Sequence, residues 1–261
     1  MDAPASHQSF ANVSQQMEEL RMNVSLALPH ELRTPLNAIL GFSEYLMSQP
    51  PERLPEADNI LQMQTSIHEN ALRLHRLIEN YLLYVHLKLI EHDMRKQRAE
   101  MWKSDGRLDT RSLIASVARR KAQQAQREQD VELRLADAEL HVSTKSLTKI
   151  VEELLDNACK FSPAGSLIQV TTEVSDDQWT FRMSDAGRGM TAEQIARIGA
   201  FMQFERRYYE QQGAGLGLAL AILLVHVNGG EFRIDSIHGQ GTTITMTFPS
   251  RPISTWTELH A

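Results

Sequence analysis

Glycine is nearly missing from the first hundred residues and frequent after them. Of the 13 glycines in this chain of 261 residues, Gly41 alone lies before residue 100, and the others run from Gly106 onward. Glycine costs a helix interior about 1 kcal/mol relative to alanine, whereas tight turns recruit it for its freedom of φ. The chain therefore divides into a first part able to run as long helices and a second part that turns often. The first part carries the matching apolar pattern. Val13, Met17, Leu20, Val24 and Ala27 recur at alternating spacings of four and three, and the pattern resumes through Leu36, Leu40 and Leu46. That is the seam of a helix packing at coiled-coil angles. The paired prolines of SQPPERLP (48–55) close it. A second helix follows, with Ile60, Ile67, Leu74 and Tyr81 seven apart and Ala71, Ile78 and Val85 on the adjacent row. Two such helices cannot bury both apolar stripes alone, and a second copy of the chain completes a four-helix bundle across a two-fold axis. A homodimer is expected.

KSDGRLD (103–109) marks the boundary. Beyond it the pattern predicts a helix over 110–127, short strands near 131–135 and 140–142, and a helix over 144–161. Alternation in LIQVTTEV and WTFRMS predicts strands. Thr191 and Gln194 form a capping box before a short helix. A helix over 216–227 stops at Asn228-Gly229-Gly230, and EFRIDSI with TTITMTF forms a final hairpin. The expected class is α+β multidomain: an antiparallel helical hairpin over 1–104, an α/β sandwich over 105–249 and a loose tail over 250–261.

A net charge of -6 with mixed signs argues against nucleic acid as a partner. The one cysteine, Cys159, forms no internal disulfide. The N-terminus lacks the charged-then-apolar order of a signal peptide. The longest apolar run, 216–227, is too short and too glycine-marked to span a bilayer. A soluble, cytoplasmic polypeptide without membrane contact is expected, and the cytosolic part of a larger sensor would read the same. His68 and His75, seven apart beside the seam, read as residues of a solvated face.

Three clusters in the second part carry chemistry. Glu153, Asn157 and Lys160 lie at i, i+4 and i+7 of one predicted helix and share a face. Oxygen ligands and an ammonium along one line suit Mg²⁺ beside phosphates, although an ordinary polar face has the same composition. Ser184-Asp185-Ala-Gly187-Arg-Gly189 fits a tight turn exposing a carboxylate able to accept from an exocyclic amine, and equally a plain Asp-Gly turn. Gly213-Ala-Gly215-Leu216-Gly217-Leu218 leads into a helix, where backbone N–H groups can face an anion; a flexible hinge reads the same way. It is neither a P-loop nor a dinucleotide fingerprint. Between the last two clusters, Gln203-Phe204-Glu205-Arg206-Arg207 offers two cations on one segment.

Upstream, ALPHELRTPL (27–36) places Pro29 and Pro35 around His30 inside an otherwise helical stretch. A helix-surface imidazole is nucleophilic when neutral, and Thr34 at i+4 shares its face. The order of these five segments resembles the H, N, G1, F and G2 boxes of two-component sensor histidine kinases, with their GHKL nucleotide-binding domain, over about residues 10 to 249. The resemblance implies an ATP-dependent kinase that autophosphorylates His30 and passes the phosphoryl group to an aspartate of a response-regulator receiver domain, with a phosphatase activity as well. It implies that Glu31 takes the Nδ1 proton of His30 and that Thr34 orients a water for dephosphorylation. It further implies that Asp185 reads the adenine amine within the Gly187–Gly189 turn, that Asn157 and Glu153 hold Mg²⁺, and that Lys160 with Arg206 or Arg207 steadies the phosphates. Gly213, Gly215, Leu216 and Gly217 belong to the lid over them, and Thr242 supports the adenine pocket. Two positions depart from the pattern: Pro29, where the family usually has a small polar residue, and Glu153, where many members have asparagine. Proline at 29 puts helix continuity near His30 in doubt, and the two prolines together suggest a bend. A hydrolytic GHKL ATPase and a non-catalytic dimeric scaffold are the alternatives.

Overall fold

The computed structural model describes residues 28–50, 56–101, 109–140, 142–175, 177–196, 198 and 216–251, with side chains for all but 28–31, 90–101 and 251. The seam residues before Leu28, the Phe204–Arg207 segment, Gly213, Gly215 and the tail beyond Arg251 lie outside them. The chain divides into two compact units, changing over between Val85 and His86.

The described part of the first unit is helical, and its second helix runs on past Val85 into the residues of the other unit. Helix α1 is Leu28–Ser48 and α2 is Ala57–Met101. Residues 28–48 form one continuous helix through Pro29 and Pro35, so helicity is maintained past His30. Proline at 35 lacks the N–H that the Glu31 carbonyl would accept four residues earlier. On α1, Leu32, Pro35, Ile39, Phe42 and Leu46, at spacings of three and four, are part-buried or buried, with Ala38 and Ser43 beside them, whereas Leu36 and Leu40 are exposed. Of the expected seam, Leu46 lies in the part-buried stripe, and Leu36 and Leu40 lie on a second, exposed one. On α2, Ile60, Ile67, Leu74 and Tyr81 are part-buried as expected, while His68 and His75 are exposed.

The second unit is a two-layer sandwich. It contains α3 (Thr110–Gln124), a 3-10 turn (Glu128–Asp130), β1 (Val131–Arg134), β2 (Glu139–Leu140), α4 (Thr144–Phe161), β3 (Ile168–Ser175), β4 (Gln178–Asp185), α5 (Ala192–Ala196), α6 (Leu216–Val227), β5 (Glu231–Ile237) and β6 (Gly241–Arg251). The sheet runs β1-β3-β4-β6; β6 pairs on its other side with β5 and, at its end, with β2. β1–β3 is parallel and the remaining pairs are antiparallel. Period-two alternation places Ile168, Val170, Trp179, Phe181, Met183, Ile244, Met246 and Phe248 in the core, while threonines and Arg182 line the opposite face. The apolar stripe of α4 (Leu147, Ile150, Val151, Leu154, Leu155, Ala158) and the nearly all-apolar α6 complete that core.

Local chemistry sets the ends. The Asp109 carboxylate accepts from Ser112 N–H at 2.9 Å to cap α3, and Ser143 Oγ accepts from Ser146 N–H at 3.1 Å to cap α4. Thr191 and Gln194 exchange the expected capping-box bonds, at 2.9 and 3.2 Å. α6 stops where Gly229 takes φ 86° and Gly230 N–H reaches the Val225 carbonyl at 2.9 Å. Two expectations need correction. α3 ends at Gln124 rather than 127, because Gln126 adopts φ 55° and turns Arg127 inward. The segment Pro249–Arg251 is not loose: β6 extends through it, with Ser250 and Arg251 paired to Leu140 and Glu139.

Candidate functional site

Four chain segments meet at one end of the sheet. The C-terminal turn of α4 brings Asn157, Lys160 and Phe161; the end of β4 brings Asp185; the loop after it brings Gly187 and Gly189; the start of β6 brings Thr242. Register links two of these directly, since Asp185 pairs with Thr242 and Ile168.

The loop is held by backbone contacts that only glycine permits. At Gly187 a Cβ would stand 2.5 Å from the Phe161 carbonyl oxygen and 2.6 Å from Asp185 Oδ1. Gly189 has φ 61°, and a Cβ there would overlap the Ile237 carbonyl. Arg188 N–H donates to the Phe161 carbonyl at 3.1 Å, and the Arg188 carbonyl accepts from Gly239 N–H at 2.7 Å. The Asp-x-Gly-x-Gly turn is thereby wedged between the end of α4 and the β5–β6 turn.

Asp185 accepts from Gly187 N–H at 2.8 Å and also from the backbone N–H of Thr242. Burial pushes its carboxyl above the ordinary aspartate range, and these two donors and the Arg127 charge only partly offset that. A half-buried carboxylate with fixed orientation is suited to accept from an amine. Thr242 is oriented too. Ser236 Oγ donates to the Gly241 carbonyl at 2.8 Å and accepts from Met190 N–H at 2.8 Å. Its single proton is committed, so the 2.9 Å contact with Thr242 Oγ1 has threonine as donor.

Lys160 Nζ on α4 lies 5.2 Å and Arg188 Cζ 4.4 Å from the centroid of the Phe161 ring, so two cations lie over one aromatic ring beside the turn. Asn157 is part-buried and makes no side-chain hydrogen bond among the described residues. Glu153, one turn earlier, pairs through Oε1 with Lys149 Nζ at 2.6 Å. Gly217, in the first turn of α6, packs against the same carboxylate: a Cβ there would overlap Glu153 Oε2. Leu216 beside it is buried.

The remaining site residues separate by region. His30, Glu31 and Thr34 are on α1, in the helical unit, with Thr34 exposed. Arg206, Arg207, Gly213 and Gly215 lie outside the described residues. Among the described residues no group of three or more His, Cys, Asp or Glu side chains is arranged to hold a metal, and no helix is long and apolar enough to cross a membrane.

Two contributors escaped the sequence reading. Ser236, the hub joining three turns, follows Phe232 and Ile234 on the inward side of β5, and a serine in that alternation was its signal. Arg127 is the other. Its guanidinium pairs with Asp130 at 2.6 Å and donates to the carbonyls of Cys159, Ser162, Pro163 and Ser166 at 2.7–3.1 Å. It ties down the end of α4 and thereby Lys160 and Phe161.

Residues 142–252 match the family of histidine kinase-, DNA gyrase B- and HSP90-like ATPases, and residues 24–89 match the His kinase A phospho-acceptor domain. Histidine protein kinase DivJ of Caulobacter vibrioides is 33% identical over 235 residues, covering 85% of this chain and 36% of DivJ. An uncharacterised sensor-like histidine kinase of Rhizobium meliloti is 29% identical over 256 residues, 95% of this chain and 45% of that protein. The chain thus spans less than half the length of these two relatives. Among solved structures, the Acinetobacter baumannii histidine kinase AdeS superposes with TM-score 0.61 at 18% identity, over 85% of this chain and 98% of that one. With a phospho-acceptor domain followed by this ATPase domain, the chain belongs to the sensor histidine kinases and carries their catalytic core.

Proposed function

We propose that the chain binds ATP with Mg²⁺ in the sandwich unit, transfers the γ-phosphoryl group to His30 within a homodimer, and hands it on to an aspartate of a response-regulator receiver domain, with a phosphatase activity toward that partner. The observation that carries the reading is Asp185, a half-buried carboxylate aimed by the N–H groups of Gly187 and Thr242 and set beside the Asn157-bearing helix. In this reading Asp185 accepts from the adenine amine. Lys160, with Arg206 or Arg207, binds phosphate oxygens.

The donor set near Asn157 fits a hard cation: an amide with no competing bond among the described residues, with phosphates and water to complete the oxygen shell. Bound there, Mg²⁺ supplies neutralisation of phosphate charge. Phosphoryl transfer asks mainly for positioning and charge stabilisation, which this inventory offers. On α1, Glu31 takes the Nδ1 proton so that Nε2 of His30 carries the attacking lone pair, and Thr34 orients the water that later removes the phosphoryl group. Exposed Leu36, Leu40, Met47, Leu61, Leu72, Leu82 and Leu89 support the dimer, because a lone copy leaves them in water.

Incubation with γ-labelled ATP and Mg²⁺, followed by acid or alkali, tests this. Acid-labile, alkali-stable label that is lost in His30→Gln is the expected result. Phosphate release without label points to hydrolysis, and neither label nor release points to a scaffold.

A further inference from the structure

We infer that Glu153 acts as a positioning residue that docks the first turn of α6 onto α4, so that the end of the glycine run is fixed relative to Asn157; this rests on the nucleotide-binding function proposed above. Both carboxylate oxygens are engaged by the protein. Oε1 faces Lys149 Nζ at 2.6 Å, and the glutamate side chain is only 14% exposed. Oε2 lies against Gly217, where a methyl group would have to push the carboxylate aside. The first turn of a helix presents N–H groups without intrahelical acceptors and the positive end of the dipole, and a carboxylate stabilises both. α6 has no acidic residue in its own first turn. Glu153 supplies the missing negative charge from the neighbouring helix.

The spacing gives this contact its consequence. Glu153 and Asn157 are four apart on α4 and share its face. The carboxylate that seats α6 and the amide that would hold Mg²⁺ are therefore carried by the same turn of backbone. Gly217 closes the Gly-x-Gly-x-Gly run, so the place where that run becomes helix is set one α4 turn from the cation site. This gives glutamate at 153 a role distinct from metal ligation and from activation of water. Lys149 holds Oε1, and Oε2 faces the first turn of α6.

A double-variant cycle on the full chain tests the assignment. His30 labelling would be measured against ATP and against Mg²⁺ for wild type, Glu153→Ala, Gly217→Ala and the double variant, with Tm for each. The expected result is a loss of about 100-fold for Gly217→Ala, the scale of an ångström-sized misplacement. Glu153→Ala loses about tenfold, and the double variant returns to the level of Glu153→Ala, because the added methyl then occupies the vacated space. The Mg²⁺ concentration at half-maximal rate stays within about threefold throughout. Losses that multiply in the double variant overturn the inference. So does a tenfold or larger rise in the Mg²⁺ requirement confined to variants lacking Glu153. Tm reads the same contact without activity: it falls in Gly217→Ala and recovers in the double variant, and failure to recover overturns the inference. A wild type that neither binds ATP nor labels His30 sinks the proposed function instead, which keeps the two failures apart.

Discussion

The two helices and the sandwich differ in what they leave in water. Of the 11 large apolar side chains exposed among the described residues, nine are on α1 and α2, and only Leu167 and Ile237 are in the sandwich. The fully enclosed core shows the reverse. Trp179, Phe181, Phe248, Leu147, Leu154, Leu220 and Met246 are all in the sandwich, whereas Pro35, Tyr84 and Leu87 are the buried apolar residues among those described in the helices. One unit satisfies its apolar surface within a single chain; the other is written for a partner. That division suits a kinase in which the nucleotide unit works as a self-contained module and the acceptor helices set the oligomeric state.

The largest effect that bears on this contrast is at Arg127. Replacing it by methionine removes the guanidinium that four carbonyls and Asp130 share at the end of α4, a change that costs about 3–5 kcal/mol when a buried charged network loses one partner. Denaturant unfolding followed by fluorescence, to which buried Trp179 contributes, should show a matching drop in midpoint. A change below about 1 kcal/mol would mean that the sandwich does not depend on this clamp.

Next in size is the helical unit. Leu72→Glu puts a charge on the exposed stripe, where the leucine is 47% exposed in the single chain. Sedimentation equilibrium should show dimerisation weakened at least about tenfold, the cost of one truncated interface residue, with nucleotide affinity unchanged. Dimerisation equal to wild type would move the interface off this stripe.

Asp185 links stability to function. Its folded pKa is raised, so the ionised form is disfavoured by the fold. The protonated form adds stability below the unfolded pKa, and that stability is lost as pH rises through the folded value. Only the ionised form accepts from an amine with both oxygens. Nucleotide affinity should therefore fall on acidification starting above the ordinary carboxylate range near 3.9, while Tm of the sandwich does not fall for that reason. Affinity that holds constant until the ordinary range would contradict the burial seen at Asp185.

The smallest effect is at Cys159. Burial pushes its thiol above the usual range, so it stays protonated and alkylates more slowly than a free thiol at neutral pH. A rate equal to that of free cysteine would show α4 opening at its end.

Much of the fold could be read from local chemistry, and the exceptions share a cause. α4 and α6 have the expected bounds because a serine cap, a strong apolar stripe and a double glycine are local signals. The capping box at Thr191 and the final hairpin follow for the same reason. Leu36 and Leu40 belong to a stripe that a single chain leaves exposed, because two apolar stripes on one helix are a fraction of a turn apart and sequence does not say which faces its own chain. The continuation of β6 through Ser250 depends on β2, which contacts it across more than a hundred residues of sequence. At the site, Asp185 and its glycines announce themselves by spacing. The partners that hold them, Arg127 and Ser236, act on backbone carbonyls and turns contributed by distant segments; a serine among the inward residues of β5 is the one local trace of this, and nothing local marks Arg127.

The central claim is that the sandwich clasps an adenine nucleotide through Asp185 on behalf of a histidine in the other unit. Titration calorimetry of a non-hydrolysable ATP analogue with Mg²⁺ tests it most directly, comparing wild type, Asp185→Asn and His30→Gln. The account predicts a Kd between about 1 μM and 1 mM for wild type and for His30→Gln. It predicts affinity about 100-fold weaker for Asp185→Asn, the loss of one charge-assisted hydrogen bond. No heat of binding in wild type, or equal affinity in Asp185→Asn, would contradict it.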